Sequence, residues 1–157
     1  KSFDWGDISV NGIWTHALER SNFVSPTNPN FENRILGELG DPVDAFNLRT
    51  NAKFGNIGFT YELRYLGGMY VNTYEDFNSL QGRPPENPDG WPIKKYPAVW
   101  YHNIRVDADV NDRFNIYVGV DNLFDRQPPY GLTGVGAGSG IYDVRGRYGY
   151  VGAIAKF

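Results

Sequence analysis

Ile57, Phe59, Tyr61, Leu63 and Tyr65 alternate without interruption with Gly58, Thr60, Glu62 and Arg64. Strand side chains change face at every residue, so this run builds a ribbon with one apolar and one polar face. The same period recurs along the chain. Asp7 to Arg20 sets Ile8, Val10, Gly12, Trp14 and His16 against Ser9, Asn11, Ile13 and Thr15. Ala45 to Ala52 sets Phe46, Leu48 and Thr50 against Asn47, Arg49 and Asn51. Ala98 to Val110 sets Trp100, His102, Ile104, Val106 and Ala108 against Tyr101, Asn103, Arg105, Asp107 and Asp109. Phe114 to Val120 sets Phe114, Ile116 and Val118 against Asn115, Tyr117 and Gly119, and a last run covers Tyr148 to Phe157. The helical template finds no comparable segment, so the chain is expected to be all-β with about six antiparallel strands.

The connections sharpen that expectation. Lys53-Phe54-Gly55-Asn56 and Asn111-Asp112-Arg113 are short enough for tight hairpins. Ser21 to Pro42 and Gly67 to Pro97 are long and dense in proline, glycine and asparagine, which interrupt ladders and helices alike. A third long connection follows Val120. Loops of this length are uncommon inside a compact domain. Alternation of long and short connections is the pattern of an outer-membrane β-barrel, with long loops outside the cell and short turns in the periplasm.

Composition permits this. No stretch approaches the roughly 20 apolar residues of a membrane helix. A barrel needs none, because half of its strand residues face a polar lumen and mean hydropathy stays low, here −0.47. Aromatic residues, 16% of the chain, suit interfacial girdles. In that geometry the apolar series faces lipid, and Arg49, Glu62, Arg64, Arg105, Asp107 and Asp109 face the lumen. The absence of cysteine excludes disulfides and thiolate metal sites. A net charge of −3 offers no basic surface for nucleic acid. Lys1 is followed by no charged-then-apolar signal segment, so the chain is expected to start inside a longer protein.

Three segments fall in a recognisable order. Gly119-Val120-Asp121-Asn122-Leu123-Phe124-Asp125 comes first, then Tyr142-Asp143-Val144-Arg145-Gly146-Arg147, then Phe157. This series resembles the C-terminal end of the TonB-dependent receptors, active-transport barrels of the Gram-negative outer membrane. Asn122, Leu123, Phe124 and Asp125 match the family motif, and Gly37 to Pro42 is also similar to family sequence. The resemblance implies a barrel of about 22 strands filled by an N-terminal plug, of which this chain supplies about the last quarter. It implies import of a scarce ligand with energy transmitted by TonB, with no enzymatic step and no cofactor. The implied partners are outer-membrane lipid, the TonB complex acting through the plug, a small ligand of unknown identity, and the barrel assembly machinery, which would read Phe157. Ala155, Ala153 and Val151, at every second position before Phe157, are smaller than usual. Ile154 falls on the lumen side, so the register of this last strand stays open.

Other constellations are weaker. His16 and His102 each lie two residues beyond a tryptophan, Trp14 and Trp100, which suits an interfacial band better than a metal pair. Asp107 and Asp109 share a strand face, but no nucleophile or phosphate loop accompanies them. The run Gly134 to Gly140 lacks the helix that would make it a phosphate site. Tyr74, Phe77, Trp91, Tyr96 and Tyr130, in the proline-stiffened loops, either stack on a ligand or pack the loops together. Two alternatives remain, a passive porin-type barrel and a soluble β-sheet carbohydrate-binding module.

Overall fold

The computed structural model describes residues 1–129 and 139–156. The protein is all-β: half of it is strand, with almost no helix, and most of the strand lies in one large antiparallel sheet. In chain order the elements are β1 (Ser2–Phe3), β2 (Gly6–His16), β3 (Ser21–Asn22), β4 (Asn33–Arg34), β5 (Asp44–Phe54) and β6 (Ile57–Leu66). There follow β7 (Met69–Tyr70), the one-turn helix α1 (Tyr74–Phe77), β8 (Lys95–Tyr96), β9 (Val99–Asn111), β10 (Phe114–Asp121), a 3-10 turn at Ser139–Ile141, and β11 (Tyr148–Ala155). The large sheet runs β1-β2-β5-β6-β9-β10-β11, an up-and-down meander of the long strands.

The sheet has seven strands rather than six, because Ser2 and Phe3 pair with Asp7 and Gly6 across a turn at Asp4-Trp5. Two residues carry no readable period, so β1 was invisible to alternation. The ladders also close tighter than the turn chemistry suggests. Phe54 pairs directly with Ile57, leaving Gly55-Asn56 as the turn, and Gly55 adopts φ +59°, which favours glycine. Asn111 pairs with Phe114, leaving Asp112-Arg113, and a bulge at that end absorbs Val110. All three two-residue turns lie at the same end of the sheet.

At the other end the long connections are not structureless. β3 pairs with β4, and β7 with β8. β2 stops at His16 instead of reaching Arg20 because the chain leaves the ladder there, and the Arg20 carbonyl accepts the amides of Ile35 and Leu36 instead.

Cross-strand register fixes which side chains share a face. One row reads Ile8, Ala52, Phe59, Val106, Val118 and Val151; the next face-sharing row toward the long loops reads Val10, Thr50, Tyr61, Ile104 and Val120. The opposite face carries Asn11, Arg49, Glu62 and Asn103 in one row and Ser9, Asn51, Thr60 and Arg105 in another. Among the described residues neither row set has a second layer above it. The hydrophobic cluster of Leu66, Met69, Val99, Tyr101 and Tyr142 sits at the long-loop end, with Leu39, Tyr96 and Ile141 packed on it.

Candidate functional site

Two surfaces and one turn concentrate the unusual chemistry. The first surface is the apolar face of the sheet. Val10, Trp14, Ile57, Phe59, Trp100, Ile116 and Val118 are all exposed, and Val151 is 81% exposed. Toward the long loops this face ends in Trp14, Phe46, Tyr65 and Trp100, which lie in one row. The Tyr65 and Trp100 rings are 4.3 Å apart. At the tight-turn end Phe3, Trp5 and Phe54 stack in series, at 4.7 and 5.5 Å. Monomeric soluble proteins rarely expose a continuous apolar surface of this extent.

The histidines belong to the same face. His16 Nδ1 lies 2.8 Å from Asp44 Oδ1, which also accepts the Trp14 indole N–H at 3.1 Å. His102 Nδ1 lies 2.8 Å from the Tyr61 hydroxyl, and Phe124 meets its ring edge-on at 4.9 Å. The two histidines sit in separate networks, and no group of acidic, histidine or cysteine side chains among the described residues could hold a metal ion.

The second surface is the polar face. The cross-strand register sets Arg49, Glu62, Arg64, Arg105, Asp107 and Asp109 on this one face. Arg49 pairs with Glu62 at 3.4 Å and Lys53 with Asp109 at 2.8 Å. Asn115 donates to Asp107 and Asp109, bridging two carboxylates that would otherwise repel. Toward the long loops this face opens into a cleft of about 430 Å³ lined by Arg64, Asn103, Asp121, Tyr142, Asp143 and Arg145. The Arg64 guanidinium donates to the Ile141 carbonyl. The Tyr142 hydroxyl is buried without a partner among the described residues, and burial beside Tyr101 and Tyr96 pushes its pKa up to about 12. Tyr142 therefore stays protonated at any physiological pH.

The first two long loops interlock above the sheet. Glu75, buried, accepts the Arg34 amide at 2.7 Å, and Glu38 accepts the Tyr74 amide at 2.8 Å. Burial, with Glu75 and Asp41 nearby, raises the Glu38 pKa despite that amide. Arg83 lies 3.8 Å over the Phe31 ring and donates to the Glu32 carbonyl at 2.6 Å. Of the two readings left open for the loop aromatics, packing of the loops describes Phe77, Tyr74 and Tyr96. Phe77 is buried against Tyr70 at 5.7 Å, Tyr74 packs edge-on to Tyr70, and Tyr96 leans on the hydrophobic cluster. Among the described members of this set only Trp91 is exposed, at 43%. Tyr130 and Phe157, like Gly134 to Gly138, lie outside the described residues.

The turn is the segment Asn122 to Asp125. Asn122 is 1% exposed and sits at φ +51°, a backbone state that asparagine tolerates better than most residues. Its side chain donates to the Arg126 carbonyl at 2.9 Å and accepts the Arg126 amide at 2.7 Å, while its own amide donates to Asn103. The Leu123 amide donates to the His102 carbonyl. Asp125, also at positive φ, accepts the Arg147 amide at 2.8 Å, so the turn holds the chain just ahead of β11. Sequence reasoning named these residues as a motif without seeing that the asparagine is the buried clamp. It missed Met69, named Tyr142 only as part of a motif, and gave the tyrosines of the last hairpin no role. Only the spacing of glycines opposite tyrosines could have signalled the last of these. The chain matches no protein-family model, and neither curated proteins nor solved structures yield a match.

Proposed function

We propose that this chain forms wall, lumen lining and outer loops of a TonB-dependent receptor in the outer membrane of a Gram-negative bacterium. The observation that carries the reading is the uncovered apolar face, backed strand for strand by a face of ion pairs and amides. A lipid exterior and a water-filled interior satisfy both faces at once. The two aromatic groups fit the interfacial girdles. From Ile57 to Tyr65 is about 26 Å along the strand at ~3.3 Å per residue. At a tilt of about 40° this gives ~20 Å of height, close to the roughly 25 Å apolar band of such barrels. An open sheet would leave edge amides and carbonyls unpaired in hydrocarbon, so β2 and β11 would pair onward with further strands of a closed barrel.

The choice of a TonB-dependent receptor over a passive porin rests on the resemblance of the Asn122–Asp125 segment, the Tyr142–Arg147 segment and Phe157. Under this reading the long loops and the cleft beneath them meet a scarce ligand. The plug that TonB pulls belongs to another part of the protein, and no chemical step is asked of these residues.

Topology tests this. These 157 residues hold no cysteine, so single cysteines at Asn87 and Asp112, both exposed, are introduced into a protein from which any cysteine elsewhere has been removed. In whole Gram-negative cells an impermeant maleimide is expected to label position 87, and position 112 only after the outer membrane is permeabilised. Labelling of 112 alone would invert the topology. Equal labelling of both in a protein found in the soluble fraction would favour the carbohydrate-binding module.

A further inference from the structure

We propose that the last hairpin, β10–β11, carries its own register lock. Tyr117 and Tyr150 each lie across the glycine facing them on the other strand, and Asp125 anchors the chain where β11 begins.

The need for a lock follows from the pattern. A slip of one residue would exchange the two faces, but a slip of two keeps every side chain on its own face. On the apolar side such a slip costs little, since it merely moves Val151 from Val118 to Ile116 or Val120. Tight turns fix register in hairpins. β10 and β11 are instead joined by the long connection after Asp121, so no tight turn sets theirs.

The polar side supplies what the apolar side lacks. Tyr117 is the cross-strand partner of Gly152, and Gly119 is the partner of Tyr150. A Cβ on either glycine would overlap the opposing tyrosine ring, so each ring occupies the space its partner leaves. The rings meet edge to face at 6.2 Å, and Arg105 of β9 lies 4.1 Å over Tyr117, extending the contact to a third strand. Covering a glycine with a cross-strand aromatic ring is a recognised means of pinning a sheet. Slipping two residues one way sets Tyr150 opposite Tyr117 and Tyr148 opposite Gly119. Slipping the other way sets Gly119 opposite Gly152, leaving bare backbone with no ring above it. Either slip also pulls the Arg147 amide away from Asp125. The lock is independent of whether lipid covers the other face.

Cysteine pairs on the apolar face read register directly in the intact protein, with bridging by a short bifunctional thiol reagent. The pair 118/151 reports the native register, and 118/149 and 118/153 report the two slips. Bridging is expected at 118/151 in the parent. With Tyr117→Gly and Tyr150→Gly together, the ratio of slipped to native bridging is expected to rise about 2–10-fold per lost pair. Adding Gly119→Tyr to the double-glycine variant, which exchanges Tyr150 and Gly119, rebuilds one pair in the opposite sense and is expected to restore 118/151. Unchanged 118/151 dominance in the double-glycine variant would overturn the proposal. Should that variant fail to accumulate, the exchange variant decides: accumulation with native bridging supports the lock, and failure to accumulate rejects it.

Discussion

Met69 and Val99, at the long-loop end, are almost completely buried, whereas Val118 and Val151, further along the sheet, are 54% and 81% exposed. The loop end also buries Glu75 and Asp76, each satisfied by amides or side-chain donors from neighbouring segments. The sheet buries almost nothing on its apolar side. The loop end thus behaves as a small globular body with its own core, while the strands leave an apolar face exposed or half-buried. Local hydrogen bonding and packing hold the first region together. Under the proposed function, lipid covers the second.

The largest expected break in this comparison is at the loop core. Met69→Ala removes a side chain with no exposed surface and is expected to cost about 2–5 kcal/mol of local stability. Limited proteolysis should then cut within residues 21–43 and 67–97 while the strands of the sheet stay protected. Next comes the contrast between the two faces. In the folded protein in membranes, Tyr61→Arg is expected to cost about 2–4 kcal/mol near the bilayer midplane. Thr60→Arg, one residue away on the other face, is expected to cost far less; denaturant titration from lipid vesicles measures both. Equal tolerance at 60 and 61 would erase the distinction between the faces.

Asn122→Ala is expected to cost about 1–3 kcal/mol, since the Arg126 amide and carbonyl lose their partner in a buried turn. Asn122→Gly separates the two contributions, because glycine accepts the positive φ but cannot make the bonds. The smallest effect is a pH dependence in the loop body. The Glu38 pKa is raised from 4.5, so folding takes up protons there. Its contribution is fully present below the unfolded value and is lost as pH rises through the folded one. Hydrogen exchange of the Tyr70 amide, which donates to the Gly37 carbonyl beside Glu38, is expected to slow as pH falls through that window, after correction for the intrinsic rate. Glu38→Gln should flatten the trend.

Legibility in the sequence divides along the same line. β5, β6, β9 and β10 lie within a residue or two of the alternating runs, because side-chain period is a local property that no neighbour overrides. The shared face of Arg49, Glu62, Arg64, Arg105, Asp107 and Asp109 follows from the same period. The interior of the loops was not legible. β7, β8 and α1 exist through contacts between segments far apart in the chain, such as Tyr74 with Glu38 and Arg83 with Glu32. For Phe77 the sequence left ligand stacking and loop packing open; its ring stacks on Tyr70. Ile154 was the reason to doubt the last strand, and it does lie on the polar face, opposite Asn115. Its register follows instead from Tyr117 and Tyr150, residues that alternation treats as ordinary polar-face positions.

The proposed function places lipid against the odd-numbered face of β6. A nitroxide scan from residue 57 to 65 in membrane-reconstituted protein tests it most directly, with oxygen as the lipid-soluble collider and a nickel chelate as the aqueous one. The account predicts a strict two-residue alternation: oxygen dominant at 57, 59, 61, 63 and 65, the nickel chelate dominant at 58, 60, 62 and 64. Nickel accessibility at both sets of positions, with no alternation, would contradict it.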